Sequence, residues 1–129
     1  MKLLLDTNVY VAFRRGHPGV VDIVREAESL VLSAVTVGEL LLGFRLGARF
    51  YENLKALEEL LDSPGVTFAP VTFSTADSFG LVSAALRRKG APIPTNDIWI
   101  AAHAFETGSQ LVTFDRHFEH VDNLAKLIL

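Results

Sequence analysis

The sequence predicts an α/β fold, a mostly parallel sheet covered by helices on both faces, from two observations. Short apolar runs of strand length alternate with segments of helical periodicity, and parallel strands need crossover connections, which helices supply. Acidic residues then stand at or soon after the ends of several runs, at the edge where open α/β sheets collect ligands. The 129 residues suit one compact domain, residues 1–129.

Lys2 to Leu5 is the first strand and ends in Asp6-Thr7-Asn8. A short helix follows, and after the Gly16-His17-Pro18-Gly19 break Val20, Ile23, Val24 and Ala27 recur at helical spacing. Leu30 to Leu32 is a second buried strand. Val35 to Phe44 returns to helical composition with Leu40, Leu41 and Phe44 as its apolar side and Glu39 near its start. Phe50, Leu54, Leu57 and Leu61 carry a further helix from Arg49 to Leu61, stopped by Ser63-Pro64-Gly65, so two helices form a hairpin. Val66 to Val71 is rich in strand formers. Ser74 and Asp77 then make an S-x-x-D capping pattern for a helix that runs to Lys89, with Gly90 as its C-cap. Pro92 and Pro94 lead to Thr95-Asn96-Asp97, the start of an apolar helix that ends near Gly108. Leu111 to Phe114 is the next strand, and Leu124 to Leu129 reads as a final edge strand, with a helical ending as the alternative.

Composition narrows the function. Half the residues are hydrophobic and the mean hydropathy is +0.32, yet no run approaches the roughly 18 apolar residues of a membrane span. Asp6 interrupts Leu3-Leu4-Leu5 before a signal-peptide core can form. The expectation is a soluble cytoplasmic protein. Without cysteine there is no thiolate site, so any metal is held by oxygen or histidine. A net charge of −3 excludes broad electrostatic coating of nucleic acid and leaves only local contacts. So many apolar residues in so small a soluble domain predict a surface covered by another chain, with the hairpin from Val35 to Leu61 as the candidate and a homodimer as the expected state.

Asp6 follows the first strand, Glu39 lies in the helix after the second, Asp97 opens a helix and Asp115 follows a late strand, so all four fall on one rim. Taken singly, each has a plainer role as helix cap, turn residue or solvated acid. Brought together, they repel one another and raise one another's pKa unless a cation neutralises them. All-oxygen ligation suits Mg²⁺ or Mn²⁺. Such ions activate water and stabilise a departing oxygen, which is the chemistry of phosphodiester hydrolysis.

The stretches Asp6-Thr7-Asn8, Val37-Gly38-Glu39-Leu40, Asn96-Asp97-Ile98-Trp99-Ile100-Ala101-Ala102 and Thr113-Phe114-Asp115 resemble the PIN-domain nucleases, most closely VapC-type toxins. They occur in the family's order, span nearly the whole chain and leave no acidic position unfilled. The resemblance implies a three-layer α/β/α fold, an endoribonuclease dependent on Mg²⁺ or Mn²⁺, a homodimer and a cognate antitoxin partner that inhibits it. Asp6, Glu39, Asp97 and Asp115 would be the catalytic and metal-binding residues. Thr7, Asn8, Asn96 and Thr113 match polar positions beside the acids and would orient ligands, water or substrate, turn and cap chemistry being their other reading.

Other residues carry weaker signals. Arg14, Arg15 and the Arg87-Arg88-Lys89 run would meet phosphate, although charges at helix ends are more often solvated. Arg116 and His117 stand next to Asp115 and so near the substrate, but His117 and His120 lack a third zinc ligand and read as structural or surface histidines. His103 reads as a hydrogen-bonded packing residue, and Trp99, Phe105 and Phe114 as core. Two alternatives compete: an aspartyl-phosphate phosphatase built on Asp6, which the haloacid-dehalogenase pattern disfavours because Asn8 stands where a second Asp belongs, and a partner-binding module whose acids only cap helices.

Overall fold

The computed structural model describes residues 1–129. In chain order the elements are β1 (Lys2–Leu5), α1 (Thr7–Arg14), α2 (Pro18–Glu26), β2 (Ser29–Ser33), α3 (Ala34–Leu46), α4 (Phe50–Leu61), β3 (Val66–Ala69), α5 (Phe73–Lys89), α6 (Thr95–Thr107), β4 (Gln110–Thr113), a short 3₁₀ helix (Arg116–His120) and β5 (Lys126–Ile128). Five parallel strands form one sheet in the order β3-β2-β1-β4-β5.

Side chains alternate across each strand, so neighbours in sequence feed opposite faces. Leu4, Val31 and Leu111 join Leu86, Ile100, Ala101, Ala104 and Phe118 in one core. Leu3, Leu5, Leu30, Leu32 and Val112 join Val9, Tyr10, Val20, Leu40 and Leu57 in the other. The result is the expected α/β/α sandwich, and it explains why the central strands read as unbroken apolar runs rather than alternating ones. Each fully buried Leu, Ile or Val contributes about 1.5–3 kcal/mol by leaving water.

The chain winds from β1 through β2 to β3 on one side and then returns to lay β4 and β5 on the other. The topological switch therefore lies between β1 and β4, which pair with Leu5 beside Val112. That is where such sheets open a crevice at their carboxyl ends. The last run forms the parallel edge strand β5, which pairs Thr113 with Ile128 and settles the ending in favour of strand over helix.

Three expectations need correction. The S-x-x-D cap at Ser74 and Asp77 does not form: α5 begins two residues earlier, capped by Thr72 in place of Ser74, and the Thr72 backbone N–H donates to Thr75 Oγ1 at 3.0 Å. Thr75 wins because its buried hydroxyl also reaches Glu106 Oε1 of α6 at 2.7 Å, whereas Asp77 faces solvent. The third strand stops at Ala69, and the carbonyl of Pro70 turns away to serve another bond. Phe105 and Phe114 are 37% and 38% exposed rather than core. Trp99 does pack, stacking on Phe79 with ring centroids 4.1 Å apart. His103 is wholly buried, with Nδ1 2.7 Å from Ser33 Oγ and Nε2 3.0 Å from the Pro70 carbonyl, as a packing histidine requires.

Candidate active site

A cleft of about 450 Å³ opens at the switch point and is lined by Asp6, Glu39, Asp97 and Asp115 together with Thr7, Asn8 and Asn96. No lysine, arginine or hydrophobic residue lines it. All four sequence-predicted acids are thus brought to one place by four different elements.

Asp6 leaves β1 at the N-cap of α1. Its Oδ1 accepts from the Thr7 backbone N–H at 2.8 Å, and its Oδ2 accepts from the Thr113 hydroxyl at 2.7 Å. That hydroxyl in turn accepts from the Asp115 backbone N–H at 2.9 Å, so one buried threonine at the end of β4 positions an acid on either strand. Thr7 Oγ1 donates to Glu39 Oε1 at 2.7 Å and ties the first helix turn to α3. Asn8 and Asn96 line the cleft, but the bonds that hold the acids run through the two threonines. Asp97 sits in the first turn of α6 without capping it; the N-cap is Pro94, and no side chain closes that end.

Burial pushes the Asp6 carboxyl above its ordinary value, helped by the negative charges of Glu39 and Asp115 and opposed by the Thr113 and Thr7 hydrogen bonds. Burial likewise raises Asp97, and the charges of Asp6 and Asp115 raise it further, to about 6. These couplings show that the four acids share one electrostatic site.

His117 stands beside the acids, as its place after Asp115 led one to expect, but its contacts with two of them were not foreseen. It stands on the 3₁₀ helix, where Asp115 Oδ1 caps the turn by accepting from the His117 backbone N–H at 2.8 Å. Its Nδ1 lies 3.0 Å from Asp115 Oδ1 and 3.5 Å from Asp97 Oδ2. Asp97, Asp115 and His117 offer ligand atoms within 4.8 Å of one another. The ring is half exposed, so it belongs to the surface as expected, but it also leans on two of the acids. The signal available in sequence was its place two residues after Asp115, the spacing of a carboxylate that caps a turn. Arg116 turns outward to Glu119 at 2.7 Å, and Lys89 is spent on Asp122 at 2.9 Å.

Known proteins resemble this chain in sequence and in fold. The sequence model of the PIN domain matches residues 3–124. Ribonuclease VapC2 of Haemophilus influenzae is 34% identical over 124 residues, which cover 94% of this chain and 92% of that protein. The tRNA(fMet)-specific endonuclease VapC of Shigella flexneri is 30% identical over 130 residues, 96% of this chain and 95% of that one. Among solved structures, VapBC-1 from nontypeable Haemophilus influenzae superposes with a TM-score of 0.85 at 26% identity, covering 99% of this chain and 98% of the other. Matched along nearly its whole length in sequence and in fold, this chain belongs to the PIN domain family, in its VapC branch.

Proposed function

We propose that this chain is an endoribonuclease dependent on Mg²⁺ or Mn²⁺, the toxin of a type II toxin-antitoxin pair, acting in the cytoplasm as a single-domain protein. One observation carries the reading: four carboxylates converge in a cleft that no basic lysine or arginine side chain lines. Such a donor set fits a hard divalent cation, whose oxygen ligation and residual water suit Asp and Glu. The names of the relatives supply the substrate class, since the Haemophilus protein is called a ribonuclease and the Shigella protein a tRNA-specific endonuclease.

Asp6, Glu39, Asp97 and Asp115 would hold the cation. When bound, it supplies activation of a water and charge neutralisation at the departing oxygen of an RNA phosphodiester. The rest is the work of this chain. Thr113 fixes one oxygen of Asp6 and the backbone of Asp115, and Thr7 fixes Glu39, so the carboxylates meet the cation already oriented. Asn8 and Asn96 present amides to the same cleft, where they would position substrate or water. His117 Nδ1 lies 3.5 Å from Asp97 Oδ2 and 3.0 Å from Asp115 Oδ1, beside both acids.

For partners, the solved neighbours include VapBC assemblies, among them that of Haemophilus influenzae, and we assign this chain a cognate antitoxin. The hairpin of α3 and α4 exposes Leu42, Leu46 and Tyr51 and offers the apolar surface for a second chain. No helix is long and apolar enough to cross a membrane.

The test is cleavage of end-labelled small RNA by purified, partner-free protein in Mg²⁺, Mn²⁺ and EDTA, beside Asp6→Asn and Asp97→Asn. The expected result is discrete fragments that require the metal, with each variant slower by on the order of 10²-fold or more. Folded protein that cleaves nothing under any condition would overturn the reading in favour of a binding module.

A further inference from the structure

A second cavity of about 580 Å³ adjoins the acid cleft, with Asn8 lining both. Val11, Ala12 and Phe114 give it apolar walls, while Arg15 and His17 stand among them. Phe114 stands in the chain between Thr113, which positions Asp6, and Asp115, so its backbone adjoins a site residue on either side. It is 38% exposed, unlike the buried aromatic that a strand end normally supplies. His17 meets it edge to face, with ring centroids 6.0 Å apart and an interplanar angle of 62°. The imidazole is itself held in place. Its Nδ1 accepts from the Val20 backbone N–H at 3.3 Å as the N-cap of α2, which leaves the proton of the neutral ring on Nε2 as a free donor. Gly19 leaves room for it, since a Cβ there would stand 3.3 Å from His17 Cε1.

An aromatic face, an oriented donor at its edge and a nearby guanidinium match the parts of one nucleotide: a flat base with a polar rim and an anionic phosphate. The acid cleft, with no hydrophobic residue lining it, offers a base nothing to lie on. We propose that this cavity is a nucleobase subsite, in which the base of the nucleotide adjoining the scissile phosphate of single-stranded RNA stacks on Phe114, with His17 at its edge and Arg15 at the next phosphate. The proposal rests on the ribonuclease reading above and names the determinant of base preference within it.

The test uses short oligoribonucleotides that carry one cleavage site, with each flanking nucleotide in turn made abasic, and compares wild type with Phe114→Leu and His17→Asn. Asn retains a capping side chain for α2 while removing the ring. The expected result is that one abasic position costs wild type roughly ten-fold or more in kcat/KM. Phe114→Leu loses a similar factor on intact RNA and almost nothing further on that abasic substrate, because the two changes remove the same contact. His17→Asn shifts base preference in the same direction and carries the test alone if Phe114→Leu does not fold. Wild-type kcat/KM and unchanged base preference in both variants would overturn the subsite while leaving the nuclease intact. Unchanged cleavage with lost inhibition by the antitoxin would assign the cavity to that protein and overturn it too. A wild type that cleaves no RNA would remove the nuclease reading and the subsite with it.

Discussion

Asp97 holds the strongest electrostatic signal of the site, a carboxyl lifted to about 6 by burial and then by the charges of Asp6 and Asp115. An acid raised by folding binds its proton more tightly folded than unfolded, so it favours the folded state at low pH. Its contribution is complete below its ordinary value of 3.8 and is lost as the pH rises through about 6. Without divalent cation, the stability of the chain therefore carries a component that falls between about pH 4 and pH 6, and Asp97→Asn flattens that component. Added Mg²⁺ or Mn²⁺ binds the ionised cluster and raises the melting temperature more at pH 7 than at pH 5. Thermal melts at the two pH values, with and without metal, check both points, and equal shifts at both would contradict a shared cation site. Thr113 illustrates the complementary lesson, that a neutral hydroxyl does the positioning while the acids hold the charge.

Among the elements, the line from Ser33 through His103 to Pro70 joins the end of β2, the middle of α6 and the turn after β3. The Pro70 carbonyl can only accept, so His103 Nε2 carries the proton of the neutral ring and Nδ1 accepts from the Ser33 hydroxyl, whose oxygen also accepts from the Val35 backbone N–H at 3.1 Å as the cap of α3. The imidazole is then the Nε2–H tautomer, which donates to the Pro70 carbonyl. His103→Leu takes from the buried Ser33 hydroxyl the acceptor for its proton and leaves the Pro70 carbonyl only the longer bond from Thr75 Oγ1 at 3.4 Å, and costs about 1–3 kcal/mol. A urea titration measures the loss; an unchanged midpoint would mean that water replaces the ring freely. The same accounting explains why α5 starts at Phe73: the hydroxyl of Thr75 serves both the helix end and Glu106, which no choice based on Ser74 and Asp77 provides.

At the scale of the whole molecule, a net charge of −3 leaves RNA binding to local groups rather than to an overall field. The largest exposed apolar side chains of the hairpin, Leu46 and Tyr51 at 82% exposure each, stand on the turn side of α3 and α4, where one chain alone cannot bury them. Light scattering at micromolar concentration is expected to give a homodimer, and a monodisperse monomer would leave the antitoxin as the sole occupant of that surface.

The sheet, the order of its strands and helices, and the four acids were all legible in the amino-acid order, because periodicity reports burial and an acid beside a strand end is a local feature. Asp6 after Leu3-Leu4-Leu5 needs no tertiary contact to be noticed. What lay beyond reach depended on partners distant in the chain. Thr75 caps α5 because Glu106 waits 31 residues away, and Phe114, 38% exposed, meets the edge of His17, a residue far from it in the chain. His117 joins the acids only after the 3₁₀ turn folds it back toward Asp97. Local pattern locates the apolar strands and the acids at their ends, whereas the exposure of Phe105 and Phe114 and the pairing of side chains across the crevice follow from how the sheet twists and the helices dock, a geometry that no short window of sequence contains.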